Sequence, residues 1–249
     1  KDGYEFLYYC KNERHNNEKT RSRKVSTLKS FFKYLTVRLK VLKVNPMEEL
    51  EAPKLKKSLP KYLTLDQCLK LLKNVDGPFK ERNYAIFTIF LNCGLRLSEL
   101  CSLNLNDIHY DEQYLRVTGK GNKERIVYLN DACMHAIKTY LATRKHDSAK
   151  DKNALFLSRT GSRISRRMVE QIVYDCLEKS GLAGQGFSAH KLRHTAATLM
   201  YQQGNVDIRI LQEILGHENL GTTEIYMHLF NEQTKQAADV NPLAQVKQK

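Results

Sequence analysis

The sequence predicts a mainly α-helical protein with one small β-sheet, an α+β fold. Apolar residues recur at helical spacing through most of the 249-residue chain. Residues 114–118 and 125–129 are β-rich, and they flank a Gly-x-Gly-Asn turn that is typical of a hairpin. A chain of this length can form one large domain, or one large and one small domain.

The N-terminal part is predicted to be a small helical domain over residues 1–52. A short helical segment over 4–10 precedes residues 18–40, where five apolar side chains recur at helical spacing among lysines and arginines. Residues 53–61 follow with prolines and lysines and no apolar periodicity, so they are predicted to be a basic linker.

Residues 62–249 are predicted to form the larger domain, which ends in a tail. Thr64 is a candidate N-cap for a helix over 65–74, and 81–92 is apolar enough to be a buried helix. Gly204 and Gly216 lie where helix ends are expected. Further helices are predicted over 131–145, 165–180, 189–203 and 207–215, with a short strand at 155–157.

The charge of the chain favours a polyanionic partner. Lys and Arg number 41 against 27 Asp and Glu, a net charge of +14, and residues 1–61 carry 16 of the basic and 7 of the acidic residues. Such an excess suits nucleic acid or an anionic membrane surface. No stretch approaches the ~20 apolar residues that span a bilayer, so a membrane span is not expected.

The six cysteines show no CxxC pair or metal-finger spacing. Reduced thiols are typical of the cytoplasm, so we expect a cytoplasmic, nucleoid-associated protein. Because the chain starts without Met inside a helical pattern, we also expect it to be a truncated piece of a longer protein.

Two arginines are candidates for binding a phosphate. His190 and Arg193 stand three residues apart in the motif His-Lys-Leu-Arg-His, so their side chains share one helix face. Arg96 follows the predicted end of a buried helix at Gly94. Guanidinium groups stay charged and fork onto two phosphate oxygens, so the pair can hold a scissile phosphate. Glu99 either supports a guanidinium or is an ordinary surface glutamate.

Lys120 is predicted at the tip of the hairpin, between two glycines. With an ordinary pKa of about 10.4, a lysine at neutral pH can protonate a leaving 5′ oxygen. The alternative is a nonspecific phosphate contact, a role that Lys123 and Arg125 close by can also fill.

His217 and Tyr226 complete the candidate site. His217, in Leu-Gly-His, is otherwise a helix-cap histidine, and Tyr226, one of 13 tyrosines, is otherwise a core residue. Tyr226 follows a loop-to-helix pattern that would leave its phenol exposed. A phenol of pKa about 10 needs cations or a base to become a nucleophile at neutral pH, and the cluster supplies both.

Together, and in this order, the motifs resemble the tyrosine recombinase (phage integrase) family, and within it the bacterial Xer-type recombinases. The resemblance implies a SAM-like core-binding domain, here without its usual first helix, and a catalytic domain, closing on DNA as a C-shaped clamp. It implies the clamp arginines Arg96 and Arg193, the general acid Lys120, the supporting Glu99, the histidines His190 and His217, and the nucleophile Tyr226.

The implied reaction is site-specific DNA recombination through a 3′-phosphotyrosyl intermediate and a Holliday junction, without cofactor or metal. The implied partners are duplex DNA with an inverted-repeat-like core site and further copies of the chain: a dimer on one site, a tetramer in the synapse, or a second related recombinase. The C-terminal tail is the expected oligomerisation segment. The residues expected to bind DNA are Lys19, Arg21, Arg23, Lys24, Lys56, Lys57, Lys123 and Arg125.

Four rival interpretations remain open from the sequence. A metal-dependent nuclease needs clustered carboxylates, and the acids here are scattered. A DNA-binding protein without activity needs only the charge. A type IB topoisomerase shares the tyrosine chemistry. Among recombinases, the alternatives are an enzyme that resolves chromosomes or plasmids and the integrase of a phage or conjugative transposon.

Overall fold

The structure is a computed structural model that describes residues 2–54, 61–144, 149–202 and 206–216, apart from the side chain of Lys120. The chain divides into two units, Lys1–Ser58 and Leu59–Lys249. The division falls inside residues 53–61, where the sequence predicts a linker.

The first unit is helical. Helix α1 spans Asp2–Asn12, and α2 spans Glu18–Lys33 and continues into a π-helical turn over Tyr34–Arg38. The Asn17 side chain caps α2 by accepting a hydrogen bond from the backbone N–H of Thr20 at 2.9 Å. Leu7, Val25 and Leu50 form its small buried core, against which Leu28 packs. The apolar stripe predicted along residues 18–40 is confirmed only at Val25 and Leu28, since α2 ends at Lys33 and Leu39 is exposed.

The second unit is built around α4, which is buried along most of its length and packs against α6 and α8. The capping box of Thr64 and Gln67 confirms the predicted start of α3. The helices of this unit are α3 (Leu65–Lys73), α4 (Lys80–Cys93), α5 (Leu97–Ser102), α6 (Asp131–Thr143), α7 (Arg166–Lys179), α8 (Ala189–Gln202) and α9 (Ile208–Leu215).

The sheet contains the predicted hairpin. Strands β1 (Ile108–His109), β2 (Tyr114–Thr118) and β3 (Glu124–Tyr128) pair antiparallel in the order β1-β2-β3. Val117 lies opposite Arg125 in the register. The β2–β3 turn contains Gly121 at φ 74°, a left-handed conformation that favours glycine.

The strand predicted at residues 155–157 is wrong. Leu155 and Phe156 are buried as expected, but this segment makes only isolated bridges, Asn104 to Ala154 and Leu157 to Arg163. Single backbone hydrogen bonds join Leu155 to the Leu103 carbonyl and Ile164 to the Phe156 carbonyl. Guanidinium groups occupy the other two carbonyls, since Arg144 donates to that of Leu155 and Arg82 to that of Leu157. An apolar run predicts burial here, and its hydrogen-bond partners decide that it is not a strand.

Helix ends determine where the candidate site residues emerge. Gly94 and Gly216 end α4 and α9 in left-handed conformations, at φ 59° and 63°, which confirms the helix end predicted at Gly216. Gly204 lies outside the described residues. Helix α5 is absent from the sequence prediction because six residues are too few to show helical periodicity.

All six cysteines are buried as free thiols. In the part of the chain that the structure describes, no helix is long and apolar enough to cross a membrane. Among the same residues, no group of three or more His, Cys, Asp or Glu side chains is placed to hold a metal ion.

Candidate active site

Three of the predicted catalytic residues, Arg96, His190 and Arg193, line one cavity of about 1170 Å³ in the second unit. Its lining comes from the start of α5, the hairpin, α8, the end of α9 and α7, and α7 contributes both charged and apolar side chains. The cavity is lined by Arg96, Lys123, Arg125, His190, Arg193 and Gly216 among others.

Arg193 is the buried member of the predicted arginine pair, at 4% exposure. It lies on α8, and its guanidinium donates to the Gly94 carbonyl at 2.8 Å and to the Leu215 carbonyl at 2.7 Å. Arg193 therefore connects the ends of α4 and α9, the two helices that terminate at the cavity.

Arg96 is the more accessible member. It occupies the N-cap position of α5, and 34% of its side chain is exposed. Its guanidinium donates to Glu99 and to the Gly216 carbonyl, both at 2.7 Å. Because these two acceptors fix the orientation of the guanidinium, Arg96 is preorganised to receive a phosphate oxygen from the cavity.

Glu99 is buried at 2% exposure among three arginines, so it is not an ordinary surface glutamate. It accepts hydrogen bonds from Arg96 and Arg125, and Arg193 lies 3.8 Å away. Burial by itself would raise the pKa of Glu99, but the hydrogen bonds and charge of Arg125, followed by those of Arg96, outweigh it and lower the pKa to about 2.

Arg125 does not extend toward solvent as a phosphate-contacting side chain would. Two of its nitrogens donate to the two carboxylate oxygens of Glu99, at 2.8 and 3.0 Å, and its Nε donates to the Ile214 carbonyl at 3.1 Å. Its side chain is 15% exposed. The sequence pattern indicates a basic residue after a turn but cannot show which way the guanidinium points.

The hairpin turn lies directly beside this carboxylate. A Cβ atom added to Gly119 would stand 3.3 Å from Oε1 of Glu99. The turn therefore holds the backbone of Lys120, the predicted general acid, at the rim of the cavity. Lys123 lines the same cavity.

His190 lies on the cavity side of α8, beside His194. Their Nε2 atoms are 3.1 Å apart, and the rings meet edge to face. Burial lowers the pKa of His190 below its ordinary value of 6.5, and the charges of Arg193 and Lys191 lower it further. His190 is thus a neutral imidazole at neutral pH. The sequence motif alone assigned no role to His194, although its i, i+4 spacing from His190 is the signal for this contact.

Four of the residues expected to bind DNA belong to the first unit. Lys19, Arg21, Arg23 and Lys24 lie on α2, in the first unit. The Lys24 ammonium stands 5.3 Å from the centre of the Phe6 ring. His217, Tyr226, Lys56 and Lys57 lie outside the described residues, and Gly216, the residue before His217, is the last one described.

Helices surround a small sheet, and two arginines, a histidine and a hairpin turn meet at one cavity. This arrangement defines a class of enzymes that act on a phosphate group. Comparison with known proteins identifies that class: the family model described as "Phage integrase family" matches residues 61–233, and the chain belongs to this family. Within it, the chain is a Xer-like site-specific tyrosine recombinase. The predicted family, fold class and enzyme activity are confirmed.

Individual relatives agree with this assignment. The chain is 54% identical over 244 residues to Tyrosine recombinase XerC of Caldanaerobacter subterraneus subsp. tengcongensis, covering 98% of this chain and 69% of that protein. It is 41% identical over 217 residues to Tyrosine recombinase XerC of Thermodesulfovibrio yellowstonii, covering 84% and 71%.

Solved structures agree as well. The crystal structure of XerA recombinase matches with a TM-score of 0.63 at 26% identity, covering 97% of this chain and 82% of that one. The XerH recombinase bound to palindromic difH substrate, a post-cleavage complex, matches with a TM-score of 0.79 over 96% of this chain and 72% of that one. At 23% identity, this second likeness concerns the fold.

Proposed function

We propose that the chain cuts and rejoins duplex DNA one strand at a time, with Tyr226 as the nucleophile, at a core site made of two inverted half-sites. The observation that carries this proposal is the meeting of Arg96, Arg193 and His190 at one cavity beside the hairpin turn of Lys120. A duplex crossing this cavity would present a backbone phosphate to two guanidinium groups.

Arg96 and Arg193 are the proposed phosphate clamp. Each presents planar, positively charged N–H donors that match phosphate oxygens. As negative charge grows on the phosphate during attack, these donors bind it more strongly than in the ground state, which is the requirement for catalysis. Glu99 orients the Arg96 fork through their 2.7 Å hydrogen bond.

In the proposed reaction, the phenolic oxygen of Tyr226 forms a bond to phosphorus while the bond from phosphorus to the 5′ oxygen breaks. His190, neutral because its pKa is lowered, accepts the phenolic proton, and Lys120 gives a proton to the leaving 5′ oxygen. His217 adds a donor to the phosphate. The products are a 3′-phosphotyrosyl link and a free 5′-hydroxyl.

The phosphotyrosyl link keeps the phosphodiester free energy, so rejoining needs neither ATP nor metal. Attack by a 5′-hydroxyl from a second duplex exchanges strands and gives a Holliday junction. We therefore propose two protomers on each site and four in the synapse, from copies of this chain or with a second related recombinase, joined through the C-terminal tail. Resolution of chromosome or plasmid multimers on the nucleoid, in the cytoplasm, is the role we propose, in line with the identity to XerC relatives.

Covalent capture tests this proposal on DNA of unselected sequence. The protein is incubated with a fragment library of bacterial genomic DNA, denatured in SDS and digested with protease, and the DNA that retains a 3′-linked peptide is sequenced. We expect an enriched inverted repeat and a peptide containing Tyr226. Recovery of adducts on another residue, or of DNA without a common site, would contradict the proposal.

A further inference from the structure

Three arginines bind three consecutive backbone carbonyls at the end of α9. Arg125 Nε donates to the carbonyl of Ile214 at 3.1 Å, and guanidinium nitrogens of Arg193 and Arg96 donate to those of Leu215 and Gly216, both at 2.7 Å. The arginines come from β3, α8 and the N-cap of α5. Elements far apart in sequence thus hold the residues that directly precede His217.

The carbonyls at this helix end are strong acceptors. The last turn of an α-helix leaves its carbonyls without helical partners, and the helix dipole gives them added negative character. Charged donors at 2.7 to 3.1 Å therefore fix this turn more firmly than neutral caps would.

Arg125 differs from the other two because it is not part of the proposed phosphate clamp. Like Arg96 it binds Glu99 as well as the end of α9, but its guanidinium covers both carboxylate oxygens of Glu99. Arg125 thereby joins Glu99, which orients Arg96, to the end of α9. Displacement of Arg125 would therefore disturb both Glu99 and the end of α9.

Gly216 shows how closely Arg125 approaches this turn. A Cβ atom added to Gly216 would lie 3.0 Å from Cδ and 3.1 Å from Nε of Arg125. Gly216 also has φ 63°, which favours glycine. The Leu-Gly-His motif therefore needs glycine both for the backbone conformation and for contact with Arg125.

We propose that Arg125 is a positioning residue for strand cleavage, which holds the end of α9 in register with Glu99 and the arginine clamp. This inference rests on the proposed function of Arg96 and Arg193. It replaces the sequence-based expectation that Arg125 binds a DNA phosphate.

The first test separates positioning from phosphate binding. Arg125→Lys keeps the charge but cannot span Glu99 and the Ile214 carbonyl together. We expect an unchanged Kd for the captured core site, an unchanged salt dependence of binding, and a single-turnover cleavage rate lower by about 10²-fold, as for a misplacement of ~1 Å. Arg125→Gln removes the charge as well, so if Arg125 bound a DNA phosphate, this variant would bind more weakly and lower the salt slope by about 0.9, which would overturn the proposal.

Two control variants accompany it. Arg116→Lys changes an arginine of the same hairpin whose ion pair is with Asp107, at 3.6 Å, rather than with Glu99, and we expect wild-type cleavage. Gly216→Ala leaves Arg125 intact but crowds it from the other side, and we expect slow cleavage with unchanged Kd. Wild-type cleavage by both Gly216→Ala and Arg125→Lys would overturn the proposal.

The second test is independent of cleavage. The Gly216 amide donates to carbonyls of the last turn of α9, so its hydrogen exchange reports on that turn. We expect Arg125→Lys to speed exchange at residues 213–216 by about tenfold or more while α3 and α6 keep wild-type rates. Unchanged exchange at 213–216 would overturn the positioning role. A wild-type protein that traps no DNA would contradict the proposed function instead, so the two failures are distinguishable.

Discussion

Arg96 and Glu99 form a closed pair in which the backbone N–H and the guanidinium of Arg96 both donate to the Glu99 carboxylate at 2.7 Å. The same glutamate therefore begins helix α5 and orients a clamp arginine. Because the carboxylate also binds Arg125, it connects three segments of the chain around one buried charge.

The first prediction follows from the lowered pKa of Glu99. A carboxylate whose pKa is about 2 when folded and near 4.5 when unfolded stabilises the fold above pH ~4.5, and this contribution is lost as pH falls toward 2. We expect Glu99→Gln to lower the free energy of unfolding at pH 7 by about 3 kcal/mol, the cost of breaking a buried ion pair. At pH 2.5 the difference from wild type should be much smaller.

Urea unfolding at pH 7 and pH 2.5 measures both values. Glu170→Gln, a change to another carboxylate that lines the cavity but lies outside the arginine cluster, is the matched control and should leave stability nearly unchanged. An equal loss for Glu99→Gln at both pH values would show that the Glu99 charge does not account for the effect.

The second prediction concerns the phosphate fork of Arg96. Arg96→Lys keeps the positive charge but loses the bidentate geometry, so DNA affinity should persist while the cleavage rate falls ~10²–10³-fold, as when one transition-state donor is removed. Single-turnover cleavage and a binding isotherm on the same DNA give the two numbers. Near wild-type cleavage would mean that Arg96 does not contact the scissile phosphate.

The third prediction concerns proton donation by Lys120. A substrate whose scissile 5′ oxygen is replaced by sulfur has a leaving group that needs no proton, so it should restore cleavage by Lys120→Ala. Arg193→Ala should not be restored, since the role proposed for Arg193 is charge stabilisation. Equal restoration of both variants would remove the general-acid role from Lys120.

Local sequence patterns predicted much of the fold. The N-cap at Thr64, the hairpin and the end of α9 at Gly216 depend on neighbouring residues, and the structure confirms them. Helix α5 is too short for its periodicity to be visible. At 155–157, distant arginines supply the hydrogen-bond donors, so that segment could not be assigned from its own composition.

Part of the candidate site, like part of the fold, could be predicted from the sequence. Residue type and spacing indicated Arg96, His190 and Arg193, and the structure places them around one cavity. The direction of Arg125 depends on Glu99, 26 residues earlier in the chain, and on a carbonyl 89 residues later. Such a contact exists only after the hairpin, α5 and α9 have packed together, so no local sequence pattern predicts it.

The last prediction tests the central claim, that Tyr226 is the nucleophile. On a nicked suicide substrate, cleavage releases a short strand that carries the 5′-hydroxyl, so the enzyme stays attached to DNA. Wild type should give an adduct that resists SDS, in buffer with EDTA and without ATP. Tyr226→Phe should bind the same DNA with wild-type Kd and give no adduct. The control is Tyr174→Phe, which changes a tyrosine of α7 that lines the cavity, and it should react like wild type. A covalent adduct formed by Tyr226→Phe would contradict the account.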